Sequence, residues 1–167
     1  SGTTELRALE NAAQTERRAA AWTHASSLQL RLDFGTAYAG TLHLYAIDWD
    51  VNGRRETITV NDGSGPQAVA IDGQFEGGAW THFPISVGAG GQVTITVALA
   101  GGPNVVLSGL FLGGPGAPAE PPPAAWGPGV QGDWVGVYGS DGYALGAWND
   151  QSDDVVLPNA TLTLVQG

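Results

Sequence analysis

The residues with the most obvious capacity for chemistry lie in Asp48-Trp49-Asp50-Val51-Asn52-Gly53. Asp48, Asp50 and Asn52 offer oxygen ligands at alternate positions ahead of a glycine turn, the opening of a loop that wraps a hard cation such as Ca2+. The rest of such a loop is missing. Its twelfth position is Thr59, which cannot act as a bidentate carboxylate, and both flanks read as strands. A hairpin turn capped by acidic side chains is the structural alternative to a calcium site.

Trp22-Thr23-His24 and Trp80-Thr81-His82 repeat one tripeptide. On a strand, positions two apart share a face. Trp22 with His24, and Trp80 with His82, would then form a platform for stacking a sugar ring. The competing use of an indole is packing in a core or an interface. Two histidines on separate strands also suit zinc, but no third ligand is indicated.

Nothing points to catalysis. Serine and histidine occur without a nucleophile elbow, and Gly139-Ser140-Asp141-Gly142 reads as a turn. Asp153 and Asp154 lie in a polar loop, where adjacent carboxylates usually mean solvation. Asn159-Ala160-Thr161 is a glycosylation sequon, relevant only in a glycosylating host. A non-enzymatic protein without a cofactor is expected, calcium being the one candidate ion.

Composition narrows the partners. The six positive charges are all arginine and the formal net charge is -10, so a nucleic acid backbone or an anionic membrane surface would be repelled. No apolar run approaches the roughly 18 residues of a membrane helix, so no membrane insertion is expected. Cysteine is absent, which removes disulfides and thiolate chemistry. Methionine is absent too and the chain opens at Ser1, as a processed product or an excised piece would. An extracellular or cell-surface location is expected.

The elements that must position these residues are strands. Leu28, Leu30, Leu32 and Phe34 alternate with Gln29, Arg31 and Asp33, a half-buried strand. Similar runs cover 41–50, 55–61, 67–72, 79–86, 92–99 and 104–112. Asn52-Gly53, Asp62-Gly63, Asp72-Gly73, Gly90-Gly91 and Gly101-Gly102-Pro103 punctuate them. Only residues 5–20 are rich in helix formers, with Leu6, Leu9 and Ala13 spaced for one face, and predict a short helix or an irregular arm.

From Gly113 to Gly129 the chain is rich in proline and glycine, a tether able to reach on the order of 50 Å. Beyond it, strands are predicted at 134–138, 143–148 and 160–165. This last segment is too short to hold a core alone, yet too apolar for a solvated tail. Trp134, Val135, Val137, Tyr138, Tyr143, Leu145, Leu157, Leu162 and Leu164 therefore need a partner sheet. The expectation is an all-β, jelly-roll-like β-sandwich: an incomplete body over 1–112, a linker over 113–129 and a complementing segment over 130–167.

Two pairs of blocks carry a family resemblance: GDWVGVYGSDGY with LPNATLTLVQG, and LHLYAIDWDVNGRRE with VTITVALAGGPNVVLSGLFL. They resemble the halves of a galactose-binding-like β-sandwich module repeated in large secreted bacterial multidomain proteins. In those modules the GVYGSDGY block comes first, so the order here reads as circularly permuted. The resemblance implies no activity and treats the Asp48–Asp50 stretch as structural. Two assemblies follow. Residues 130–167 complete the sandwich of the next copy, building a head-to-tail filament of identical subunits. Alternatively they fold back, giving a monomeric carbohydrate-binding or adhesive module whose partner is a surface polysaccharide.

Overall fold

The computed structural model describes residues 2–114 and 131–167. The linker from Pro115 to Gly129, and with it the question of a tether crossing between subunits, lies outside the described residues. The strands, in chain order, are β1 (Gly2–Thr3), β2 (Leu9–Glu10), β3 (Arg17–Arg18), β4 (Trp22–His24), β5 (Ser27–Phe34), β6 (Tyr38–Ala46), β7 (Arg55–Asn61) and β8 (Pro66–Ile71). They continue with β9 (Ala79–Val87), β10 (Gln92–Gly101), β11 (Val105–Leu107), β12 (Gly109–Leu112), β13 (Gly142–Asn149), β14 (Ser152–Val156) and β15 (Ala160–Gln166).

Two five-stranded antiparallel sheets build an all-β sandwich. Sheet I runs β15-β5-β10-β7-β8 and sheet II runs β14-β13-β12-β6-β9. Alternation decides which residues face inward. Leu28, Leu30, Leu32 and Phe34 of β5 are buried, as are Val93, Ile95 and Val97 of β10 and Leu110 and Leu112 of β12. They meet in one core between the sheets. Burial of these aliphatic side chains, at about 1.5–3 kcal/mol each, is the main driving force for closing the sandwich.

The residues after the linker complete both sheets of this same chain. β13 pairs with β12 and β15 pairs with β5, each antiparallel. The segment expected to complete either the next copy's sandwich or its own is paired here with its own body. Trp134 and Leu145 are buried, while Val135, Tyr138 and Tyr143 pack on the outer aromatic cluster. Leu157 and Leu162 pack on the inner core, Val137 is half-buried and Leu164 remains 44% exposed.

Two local expectations change, and one open alternative is decided. Residues 134–138 form a turn and not a strand, with the Val137 and Tyr138 amides both donating to the Trp134 carbonyl (2.9 Å each). The Asp153-Asp154 stretch is the edge strand β14; Asp153 Oδ1 accepts from the Trp22 indole (3.0 Å) and the Ala147 amide (2.8 Å). Of the two expectations for the N-terminal residues, a short helix or an irregular arm, the structure shows the arm, with short strands β1 to β3. Asn11 Oδ1 accepts the Thr15 (2.8 Å) and Glu16 (3.2 Å) amides and bends the chain there. Leu9 is buried while Leu6 is 57% exposed, so the two do not share a face. A helix this short is marginal without tertiary support.

That arm and the 131–141 turn together cover the outer face of sheet II. Tyr45, Trp80, Phe111, Trp134 and Trp148 form a second core beneath them. The two covering pieces are laced together: the Gly132 amide donates to the Leu6 carbonyl (2.9 Å), and the Glu10 amide to the Gly132 carbonyl (3.1 Å). The Trp134 indole donates to the Glu10 carbonyl (2.6 Å). A Cβ on Gly132 would lie 1.8 Å from the Ala8 carbonyl oxygen. Gly132→Ala should therefore cost about 1–3 kcal/mol in denaturant unfolding, by forcing the arm off the sheet. Equal midpoints would show that the arm yields freely.

Candidate functional site

The Asp48 turn joins β6 to β7, and its carboxylate organises it. Asp48 Oδ1 accepts from the Asn52 amide (3.1 Å) and Arg54 Nη1 (2.6 Å); Oδ2 accepts from the Gly53 (3.0 Å) and Arg54 (3.2 Å) amides. Arg54 also pairs with Asp50, and its Nε donates to Asn104 Oδ1 (2.7 Å). A guanidinium thus stands between the two carboxylates. The hydrogen bond from Arg54 holds the Asp50 carboxyl below its usual range. Among the described residues no group of three or more His, Asp or Glu is disposed to hold a metal ion. Arg54 was visible in the sequence as a cation directly after Asn52-Gly53, but its direction was not.

The two Trp-Thr-His repeats go to different places. Trp22 and Trp80 are each 5% exposed, so neither indole offers a face to a sugar. Trp22 is tied to Asp153, and Trp80 donates to the Gln131 carbonyl (2.9 Å) beneath the covering turn. His24 Nδ1 accepts the Ser26 (3.3 Å) and Ser27 (3.2 Å) amides and closes the turn into β5. His82 shares the outer face of sheet II with Trp80, as alternation predicts, and meets His43 directly across the β6–β9 ladder.

The His43 and His82 Nδ1 atoms are 2.7 Å apart, so one proton is shared between them. Tyr138 covers both rings, with centroids at 4.2 and 5.5 Å. Burial, with His82 adding to it, pushes the His43 pKa down to about 3, and burial lowers that of His82. The pair is neutral at neutral pH and serves as packing. His43 escaped the sequence reading because nothing in its neighbourhood marks it as paired.

The hollow with the composition of a ligand site lies at one end of the sandwich. Phe34, Tyr38, Ser140, Asp141, Tyr143 and Asn159 line a concavity of about 440 Å3. Five chain segments converge there: the end of β5, the start of β6, the end of β12, the 139–143 turn and the residues before β15. Tyr38 stacks on Phe34 (centroids 5.4 Å, 18° between planes) and donates to Asp141 Oδ2 (2.9 Å). The Asp141 amide donates to the Leu112 carbonyl and the Gly139 amide to the Gly113 carbonyl (2.8 Å each), which fixes the turn. Asn159 Oδ1 accepts the Thr36 amide (3.1 Å) and hydroxyl.

Burial raises the pKa of the Tyr38 hydroxyl, and the hydrogen bond and charge of Asp141 add to the effect. Tyr143 is raised by burial and by Asp154. Among the described residues no arginine lines the hollow. Across the Gly139-Ser140 turn a second hollow of about 260 Å3 is walled by Trp134, Val135, Tyr138 and Tyr143. Of these residues the sequence singled out Trp134, Val135, Tyr138 and Tyr143 as apolar, but not as neighbours of Tyr38 and Asp141.

No described protein family matches the chain, and no curated protein does. Among solved structures, a family 35 carbohydrate binding module from an environmental isolate is similar over 73% of this chain and 91% of its own. The two are 17% identical with a TM-score of 0.38. Among the described residues no helix is long and apolar enough to cross a membrane.

Proposed function

We propose that the chain is a non-enzymatic, carbohydrate-binding β-sandwich module acting outside the cell, with its ligand held between Tyr38 and Tyr143. The observation that carries this reading is the 440 Å3 concavity, within the volume range of small-ligand sites. Its floor is aromatic and aliphatic, and its rim supplies hydroxyl, amide and carboxylate groups. A pyranose ring needs that pairing: an apolar face for its C–H groups and hydrogen-bond partners for its hydroxyls. Asp141 uses Oδ2 for Tyr38, which leaves Oδ1 for a sugar hydroxyl. With a carboxylate and no cation in the lining, neutral sugars fit better than acidic ones. The extracellular setting rests on the resemblance to secreted modules. The return of β13 and β15 to β12 and β5 is what supports reading the block order as permuted.

Calorimetric titration with a panel of neutral oligosaccharides is the test. Binding is expected, weakened about tenfold or more in Asp141→Ala through loss of a charge-assisted hydrogen bond. Acidic oligosaccharides should bind more weakly than neutral ones. Silence across the panel, or binding indifferent to Asp141, would sink the reading.

A further inference from the structure

The four outer edges of the two sheets are not protected alike. On one side of the sandwich, β8 begins at Pro66 and β9 carries Pro84, and neither proline has an amide to offer another strand. Those edges are also tied to each other: Gln67 Nε2 of β8 donates to the Pro84 carbonyl of β9 (2.7 Å), and Asp62, in the turn before β8, accepts the Ser86 amide (2.8 Å). On the opposite side β14 carries Asp153 and Asp154, charges that discourage strand addition. Among the described residues of these four edge strands, only β15, Ala160–Gln166, has neither a charge nor a proline. A register irregularity between Leu164 and Gln166 bends its end, so the flat stretch is Ala160–Leu164.

The same side gathers exposed apolar surface. Among the described residues the exposed large hydrophobics are Leu6, Val51, Val155, Val156, Leu164 and Val165. The last four lie on β14 and β15, the two neighbouring edges. Leu162 and Leu164 pair with Leu32 and Leu30 and so face the gap between the sheets, as does Val155, which pairs with the buried Ala144.

We infer that β15 is a homodimerisation edge, pairing antiparallel with β15 of a second copy across a two-fold axis at Leu162. In that register Leu162 meets its own equivalent, Thr161 meets Thr163, and Ala160 meets Leu164. The apolar residues then stay on the inner face and the threonines on the outer face in both copies. The strand is complementary to itself, as an isologous contact requires. Charge selects the same place: chains of net charge -10 repel one another, and β15 is a sheet edge where no carboxylate meets its copy. The contact closes on itself, in contrast to a head-to-tail filament.

Sedimentation equilibrium of the full chain tests this. The mass should climb from 17.1 kDa toward twice that value between micromolar and millimolar concentration, and more readily in high salt. Thr161→Glu/Thr163→Glu sets carboxylates against each other across the proposed pair and should hold the mass at the monomer. As a check independent of that variant's folding, amide exchange in Ala160–Leu164 of the unmodified chain should slow as concentration rises. A monomer at every concentration would overturn the proposal. So would a dimer that persists in the folded double variant, or a dimer in which these amides gain no protection.

Discussion

Glu56→Gln is expected to raise stability at mildly alkaline pH and to abolish a pH dependence that the unmodified protein carries. Glu56 lies in β7, fully buried, and Oε2 accepts the Val106 amide (3.0 Å) while Oε1 has no partner. Burial pushes its pKa up from 4.5 to about 8, against the opposing pull of the Val106 amide and Arg54. The folded chain therefore keeps a proton that the unfolded chain releases. The stabilisation is complete below about pH 4.5 and is lost as pH rises toward 8, at about 1.4 kcal/mol per unit. Over that window the loss is on the order of 5 kcal/mol.

Glutamine has the same shape and no proton to lose. Urea unfolding at about pH 5 and about pH 8.5 should show the variant gaining several kcal/mol over the parent between the two conditions. Parallel profiles would mean that Glu56 ionises in place without strain. The comparison must be between the two proteins, because His43 works in the opposite sense. With its pKa lowered to about 3, its contribution is present above 6.5 and is lost as pH falls toward 3. Between about pH 4.5 and 6.5 the two effects offset one another in the parent chain.

Arg54→Ala should be the most damaging single change near the Asp48 turn. It strips the partner from Asp48, whose side chain is 2% exposed, and leaves three backbone amides to satisfy a buried carboxylate. Removing one member of such a pair typically costs about 3–5 kcal/mol, much of it the desolvation of the charge left behind. Asn104, on the approach to β11, loses its anchor at the same time. Denaturant midpoints should record the loss. Arg54→Met combined with Asp48→Asn should recover part of it, because no lone charge then remains buried. A loss below about 1 kcal/mol in Arg54→Ala would show the turn to be held by its backbone alone.

Much of the architecture was readable before folding because alternation is local. Leu28, Leu30, Leu32 and Phe34 announce one face of β5 whatever lies opposite, and the β7 boundaries, Arg55–Asn61, follow from the turns on either side. The dependent character of the C-terminal segment was readable too, because so many large apolar residues on so short a piece have nowhere to go alone. Where local and tertiary preferences conflicted, the sequence misled. The strand-like run at 134–138 became a turn because Trp134 had to enter the outer core. At residues 5–20 the composition left a short helix and an irregular arm both open, and the arm prevailed because it covers Trp80 and Trp134.

Partner choice was decided only in three dimensions. Asp48, Asp50 and Asn52 have the spacing of cation ligands, and spacing says nothing about Arg54 folding back between the carboxylates. The Trp-Thr-His repeats look equivalent as text, yet one histidine closes a turn and the other meets His43 across a ladder. The hollow at Tyr38 draws on five segments, from Phe34 to Asn159, and no window of sequence holds them together. By itself the sequence determined that this protein is a β-sandwich whose last residues must complete a sheet, since side-chain alternation and apolar excess are properties of neighbours along the chain. Which sheets they complete, which charges they meet and which tyrosines they bring to one hollow were decided by the tertiary structure. Those contacts join residues as distant as Gln29 and Gln166, and such residues meet only when both sheets close.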